Sequence, residues 1–136
     1  MVKILLIGKS ARLHCIAETL TRSPQPKKLY TLFPHNNPGL RDLSDILEIG
    51  HPEDIGHVRA FAERIKPHFA IIGPEEPLAR GATDTLHKIG IPCVSPLKSL
   101  ARIEWSKAFC RTRLDKYEIM GNPEYRIFYH PAGIAS

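Results

Sequence analysis

An unbroken apolar run at residues 4–7, Ile-Leu-Leu-Ile, limits the fold more than any other feature of the sequence. Such runs are typical of a parallel strand that is buried on both faces, although a buried helix can produce the same short run. Gly8 ends the run, and apolar residues then recur at helical spacing from Leu13 to Leu20. A strand, a tight turn at a glycine and a helix whose first N–H groups lack partners form a natural anion site. The start of the chain therefore predicts a phosphorylated ligand over this turn.

Apolar runs and helical patterns alternate along the rest of the chain. A short helical turn is predicted at 40–46. Longer helices are predicted to begin within 51–54, to run from Pro77 through Leu86, and to span 96–103 and 106–117. Strands are predicted at residues 28–33, 47–49, 69–73, 91–95 and 124–129. This order indicates an α/β fold, with an open parallel Rossmann-like sheet and helices on both faces.

In such a sheet the ligand lies beyond the carboxyl ends of the strands, where neighbouring connections diverge. Three loops are expected to meet there, at residues 8–12, 34–39 and 73–78. Any binding site built by the fold is therefore predicted at this edge of the sheet.

Length and composition exclude several classes of protein. A chain of 136 residues fits one domain and little more. An odd number of widely spaced cysteines indicates a reducing, cytoplasmic setting rather than a disulfide framework or a structural zinc site. Three histidines lie on different predicted elements, so no metal site is expected. The residues concerned are Cys15, Cys93, Cys110, His14, His51 and His57, of which His51 and His57 are expected on solvated faces.

The charge and hydropathy of the chain restrict its partners. No apolar run is long enough to span a membrane, and the N-terminus does not read as a secretory signal. A net charge of +5 favours anionic partners. Because the basic residues are scattered along the chain, with no arginine-rich arm, nucleic acid is not the expected partner.

A dinucleotide cofactor, as in a nicotinamide-dependent enzyme, is disfavoured by the first turn. The dinucleotide fingerprint needs three glycines there, and only Gly8 is present, with Ser10 and Leu13 in the other two places. The second strand also lacks the acidic residue that holds ribose hydroxyls, since it ends in Phe-Pro-His.

Two motifs together carry a resemblance to a known family. Gly-Pro-Glu-Glu-Pro-Leu at 73–78 follows a predicted strand, and Glu-x-Ser-Lys-x-Phe stands at 104–109. With Ile-Gly at 7–8, Arg12, His14 and Asn-Pro-Gly at 37–39, they resemble the N-terminal region of the phosphoribosylamine–glycine ligase (glycinamide ribonucleotide synthetase) family. The resemblance covers residues 2–128, and Gly-Asn-Pro at 121–123 is most similar to archaeal members.

The resemblance implies a ligase of the ATP-grasp class that acts in purine biosynthesis. ATP and Mg²⁺ would activate glycine as glycyl phosphate, which the amine of 5-phosphoribosylamine would attack. Residues 1–103 would form the Rossmann-like pre-ATP-grasp domain, and residues 104–136 the connector and the start of the ATP-grasp domain. No catalytic residue is expected in this chain, which alone would be inactive. Most of the ATP, metal and glycine sites would follow Ser136, and the oligomeric state stays open.

The resemblance also assigns roles to particular residues. Backbone N–H groups of the first turn would hold the sugar phosphate, with Arg12 nearby. Glu75 would accept hydrogen bonds from ribose hydroxyls or the substrate amine, whereas Glu76 is expected only to complement a helix N-terminus. Asn37 is either a substrate contact or part of a solvated turn. Lys107 would reach the ATP phosphates, and Ser106 would cap its helix. The substrate-binding candidates are Gly8, Lys9, Ser10, Ala11, Arg12, Asn37 and Glu75.

Ser10 and Leu13 depart from the family pattern, which in archaeal members reads Gly-Ala-Arg-Glu-His at this turn. Serine still offers a backbone N–H, but Leu13 removes a carboxylate. An alternative function therefore stays open, namely a non-catalytic Rossmann-like module that binds a phosphorylated nucleotide.

Overall fold

A computed structural model describes residues 1–130 of the chain. The chain divides into two compact units, the first of residues Met1–Ala101 and the second beginning at Arg102. The strands are β1 Val2–Ile7, β2 Lys27–Phe33, β3 Ile46–Ile49, β4 Phe69–Ile72 and β5 Cys93–Val94. The helices are α1 Ala11–Thr21, α2 Pro38–Leu43, α3 Ile55–Ile65, α4 Glu75–Arg80, α5 Ala82–Lys88, α6 Lys98–Trp105 and α7 Lys107–Lys116.

The first unit is built on one five-stranded sheet in the order β3-β2-β1-β4-β5, and every pair of neighbours is parallel. This confirms the predicted open parallel sheet. Ile7, the last residue of β1, is in register with Leu32 on one side and Ile72 on the other. Three neighbouring strands therefore end at nearly the same level, which brings the loops that follow them to one edge.

Alternate residues of β1 face two separate cores. Leu5 and Ile7 pack with residues of α3 and α5, whereas Ile4 and Leu6 pack with residues of α1 and α2. Successive side chains of a strand point to opposite faces, so the sheet has helices on both of its faces, as predicted. The apolar run that is central to the sequence is buried because both faces are covered.

Side-chain caps begin three of the helices. The carboxylate of Asp54 accepts a hydrogen bond from the N–H of His57 at the start of α3. Asn37 caps α2 through the N–H of Leu40. Ser106 caps α7, as the sequence predicts. Each cap satisfies a helical N–H that otherwise has no partner.

Two predicted elements are wrong. The helix expected from Pro77 through Leu86 is two helices, because Gly81 adopts a left-handed conformation with φ of 89° and ends α4. That conformation is readily accessible only to glycine. The strand predicted at 124–129 does not form, and no strand lies beside this segment within residues 1–130. Tyr125 instead donates its hydroxyl hydrogen to Asp115 on α7.

No helix within residues 1–130 is both long and apolar enough to cross a membrane.

Candidate functional site

The loops after β1 and β4 border a crevice at the carboxyl edge of the sheet. The chain winds from β1 to β2 and β3 on one side and continues through β4 and β5 on the other, so the strand order reverses between β1 and β4. Open α/β sheets bind ligands at such a reversal. The N–H of Gly73 donates to the carbonyl of Ile7 at 2.9 Å, which holds the two loops side by side. The space between residues 8–12 and 73–78 is called the crevice below.

Two ion pairs cross the crevice. The Nζ atom of Lys9 lies 3.0 Å from Oε1 of Glu76, and Nη2 of Arg12 lies 3.7 Å from Oε2 of Glu75. The predicted meeting of the first turn with the loop at 73–78 is confirmed. The same contacts show that Glu76, expected only to complement a helix, is also a partner of Lys9.

A third carboxylate reaches Lys9 from the loop that precedes α3. Oε1 of Glu53 accepts a hydrogen bond from Lys9 Nζ at 2.8 Å. β3 lies two strands from β1, so Glu53 extends past the end of β2 to make this contact. From the sequence, Glu53 is expected only at the start of a helix, within residues 51–54. Nothing in its local sequence marks it, because only the strand order brings its loop to the crevice.

The ion pairs fix the charge states of the groups around Lys9. Hydrogen bonds to Glu53 and then Glu76 raise the pKa of the Lys9 ammonium above its ordinary value. The hydrogen bond from Lys9 is the main reason that the pKa values of Glu53 and Glu76 lie below the ordinary range of glutamate. All three groups are therefore charged at neutral pH. With Arg12 and Glu75 included, carboxylates outnumber cations at the crevice by one.

The backbone of the first turn offers open hydrogen-bond donors. The N–H of Leu13 bonds to the carbonyl of Ser10, and the Ser10 hydroxyl caps nothing. The N–H groups before Leu13, from Lys9 through Arg12, have no acceptor within residues 1–130. Unpaired donors at a helix N-terminus suit a phosphate or carboxylate. The turn is thus able to bind an anion through its main chain.

Leu13 supplies packing where the family pattern has an acid. Its side chain is buried. Both of its methyl groups lie 3.2 Å from where a β-carbon on Gly8 would stand, closer than an ordinary contact, and one lies 3.5 Å from the equivalent point on Gly73. Leu13 therefore fits beneath the start of both loops and brings no carboxylate to the crevice.

The loop at 34–39 lies against α1. A β-carbon on Gly39 would clash with the ring of His14, so a larger residue at this position would have to displace that ring. Oδ1 of Asn37 is engaged as the cap of α2. This is a structural role that the sequence analysis did not consider, and a substrate contact by Asn37 stays a prediction.

Lys107 begins α7, in the second unit. It lines a groove of about 340 Å³ together with Ala108, Arg111, Tyr125, Arg126, Ile127 and Phe128. None of the three basic residues of this groove has a carboxylate partner within the described part of the chain. The groove is therefore electropositive and suits an anion.

Another cavity, of about 490 Å³, lies at the opposite edge of the sheet. Pro67 and Ile91, which line it, precede β4 and β5, so the cavity is at the amino ends of these strands. That is the wrong edge for a ligand site in an open α/β sheet. We therefore place the candidate site at the crevice, which two ion pairs cross. Among residues 1–130 no three acidic, histidine or cysteine side chains are grouped as metal ligands.

Comparisons with known proteins agree with the fold. The family model "Phosphoribosylglycinamide synthetase, N domain" matches residues 2–104. Phosphoribosylamine–glycine ligase of Methanopyrus kandleri is 42% identical over 132 residues, which is 96% of this chain and 29% of the relative. The chain thus spans less than a third of that ligase.

Two solved synthetase structures have the same fold. N5-carboxyaminoimidazole ribonucleotide synthetase of Thermotoga maritima matches 99% of this chain and 36% of its own, with a TM-score of 0.70 and 15% identity. N5-carboxyaminoimidazole synthetase of Staphylococcus aureus, solved in complex with ADP, matches 85% of this chain and 30% of its own, with a TM-score of 0.68 and 12% identity. The sequence match confirms the resemblance, and the chain belongs to the N-domain family of phosphoribosylglycinamide synthetase.

Proposed function

We propose that this chain is the N-terminal, substrate-binding part of a phosphoribosylamine–glycine ligase. That enzyme joins glycine to 5-phosphoribosylamine through glycyl phosphate, with ATP as the energy source, in purine biosynthesis. Membership of the family supports the proposal, and so does the crevice. Residues 1–103 would be the pre-ATP-grasp domain, and residues from 104 onward the connector to an ATP-grasp domain. The free thiols of Cys15, Cys93 and Cys110 suit the cytoplasm.

One observation carries the proposal. Open N–H groups at the N-terminus of α1 lie on one side of the crevice, and Glu75 lies on the other, 3.7 Å from Arg12. A ribose phosphate has an anion at one end and hydroxyls on its ring, so it needs both kinds of partner. The phosphate would bind the N–H groups of Lys9, Ser10 and Ala11, next to Gly8 and with Arg12 as a charged donor. Glu75 would accept hydrogen bonds from the hydroxyls or the amine.

The electropositive groove around Lys107 suits the phosphates of ATP. Arg111 and Arg126 line it with Lys107, and all three lack a carboxylate partner within residues 1–130. The ADP complex of the similar synthetase from Staphylococcus aureus is consistent with this role. Bound ATP supplies the phosphoryl group that activates glycine. We assign no Mg²⁺ ligand and no catalytic residue to this chain.

A steady-state assay of the complete polypeptide tests the proposal, with glycine, ATP and freshly made 5-phosphoribosylamine. Glu75→Gln keeps the size of the side chain but weakens its hydrogen bonds to hydroxyls. We expect the KM for 5-phosphoribosylamine to rise about tenfold, since a charged hydrogen bond is worth about 1.5–3 kcal/mol. The KM for ATP is expected to stay within about twofold.

Glu63→Gln is the matched control, because Glu63 is an exposed glutamate of α3 that pairs with Arg59 away from the crevice. Lys107→Met is expected to give the reverse pattern, with a raised KM for ATP alone. Equal loss for both substrates in Glu75→Gln would contradict the assignment of Glu75.

The second candidate function is a non-catalytic module that binds a phosphorylated nucleotide. The buried Leu13, which stands where the family has an acid, favours this alternative. A complete polypeptide that binds ribose 5-phosphate but forms no glycinamide ribonucleotide would support the module and contradict the ligase.

A further inference from the structure

Lys9 is held by two carboxylates that come from different loops. We propose that Glu53 positions the Lys9 ammonium at the crevice for the phosphate of the substrate, and that Glu76 occupies the place of this phosphate until the substrate displaces it. The inference rests on the proposed function, because it assigns roles within the same binding site. It adds Lys9 to the phosphate-binding groups through its side chain, beyond its backbone N–H.

Glu53 has the features of a residue that holds its partner. Its carboxylate makes the shorter contact with Lys9, 2.8 Å compared with 3.0 Å for Glu76. Only 27% of the Glu53 side chain is exposed, compared with 47% for Glu76. Glu53 follows β3, which lies on the other side of β1 from β4, so its bond with Lys9 does not join the two loops that border the crevice.

Glu76 has the features of a group that can be exchanged. Its contact with Lys9 is longer, 3.0 Å, and it crosses the crevice between β1 and β4. A phosphate in the crevice would offer the ammonium the same kind of charged oxygen, while also bonding to the open N–H groups of the first turn. One anion would thus replace another on Lys9, and Glu53 would keep the ammonium in place during the exchange.

Calorimetric titration of the complete polypeptide with ribose 5-phosphate separates the two roles. Glu53→Gln and Glu76→Gln each remove one negative charge from the same ammonium, so a purely electrostatic effect would change both affinities in the same direction. We expect Glu53→Gln to weaken the binding of ribose 5-phosphate about threefold and Glu76→Gln to tighten it about threefold. These small changes match the small free energies of partly exposed ion pairs.

Two further variants show whether the effects depend on Lys9. In a Lys9→Met background, Glu53→Gln and Glu76→Gln are both expected to lose their effect on the dissociation constant, which a general structural role would not predict. Glu63→Gln is the matched charge control and is expected to bind as the wild type does. Thermal unfolding of each variant shows that the fold is retained.

The outcomes distinguish this inference from the function on which it rests. If Glu53→Gln does not bind more weakly than the wild type, Glu53 is not a positioning residue. If Glu76→Gln does not bind more tightly, Glu76 does not hold the phosphate position. Either result overturns the inference and leaves the proposed function standing. If the wild-type protein does not bind ribose 5-phosphate, both are overturned.

Discussion

The first and second units differ in what holds them together. The first has an apolar core on each face of its sheet. In the described part of the second unit, residues 102–130, no residue is buried, and α7 is stabilised by its Ser106 cap and by polar contacts. The guanidinium groups of Arg102 and Arg113 lie 4.3 and 4.9 Å from the ring centre of Phe109.

This difference bears on the two candidate sites. The crevice lies at the end of strands that are fixed by two cores, so its loops are positioned by the fold itself. Lys107 lies on a helix that buries none of its residues within the described chain. The fold therefore preorganises the loops of the crevice more than it preorganises the groove around Lys107.

Two phenylalanine truncations compare the stability of the first unit with that of the second. Phe61 of α3 is 1% exposed within the core, and Phe61→Ala is expected to lower the free energy of unfolding of the first unit by about 3–5 kcal/mol. Phe109→Ala removes a ring that contacts two guanidinium groups, at a cost of about 1 kcal/mol. Native-state hydrogen exchange of amides in β1 and α7 measures both values. A larger loss of unfolding free energy for Phe109→Ala than for Phe61→Ala would refute the difference between the two units.

A charged cluster in the first unit predicts a pH-dependent stability. Glu48 on β3 bonds to His57 at 3.0 Å and to Arg64 at 2.6 Å, and these bonds, the one with His57 foremost, lower the pKa of Glu48 below its ordinary value of 4.5. A carboxylate whose pKa is lower in the folded state than in the unfolded state stabilises the fold at pH values above its unfolded-state pKa. This contribution is lost as the pH falls through the folded-state pKa. Glu48→Gln is expected to cost about 1 kcal/mol at pH 7.

The cost of Glu48→Gln is expected to shrink as the pH falls below about 4.5, since the wild-type carboxylate is then protonated as well. Urea unfolding of both proteins from pH 7 to pH 3 measures this difference. A cost that stays constant over the whole range would show that the charge of Glu48 does not contribute to stability.

Two buried threonines are expected to give small effects of opposite sign. The hydroxyl of Thr83 on α5 has no hydrogen-bond partner within residues 1–130, whereas that of Thr31 on β2 bonds to Ser44 at 2.7 Å. Thr83→Val is expected to stabilise the protein by about 1 kcal/mol and Thr31→Val to destabilise it by a similar amount. Thermal unfolding measures both, and equal shifts in one direction would contradict the hydrogen-bond assignments.

Local pattern was sufficient to predict most of the sheet. Buried parallel strands appear in the sequence as short apolar runs, so β1, β2 and β4 were found close to their true bounds. The apolar pattern predicted the wrong element where the structure depends on a single backbone angle or on a neighbouring strand. Gly81 divides a segment that its apolar spacing predicts to be one helix. Residues 124–129 have no neighbouring strand within residues 1–130 with which to pair.

The sequence predicted only some of the contacts at the crevice, because the others depend on the strand order. Arg12 and Glu75 lie in loops that follow adjacent strands, so the general rule for open sheets brings them together. Glu53 follows β3, and its contact with Lys9 depends on strand order and side-chain length. The expectation that His57 lies on a solvated face is also wrong, since its ring is half-buried against Glu48, which lies on a different element.

Hydrogen exchange at the first turn tests the central claim, that the crevice binds a sugar phosphate, most directly. The amides of Lys9, Ser10, Ala11 and Arg12 have no acceptor within the described chain and should exchange rapidly in the free protein. Saturating ribose 5-phosphate is expected to slow their exchange at least tenfold, while the amides of α7 are unchanged. Unchanged exchange at residues 9–12 under saturating ligand would contradict the account.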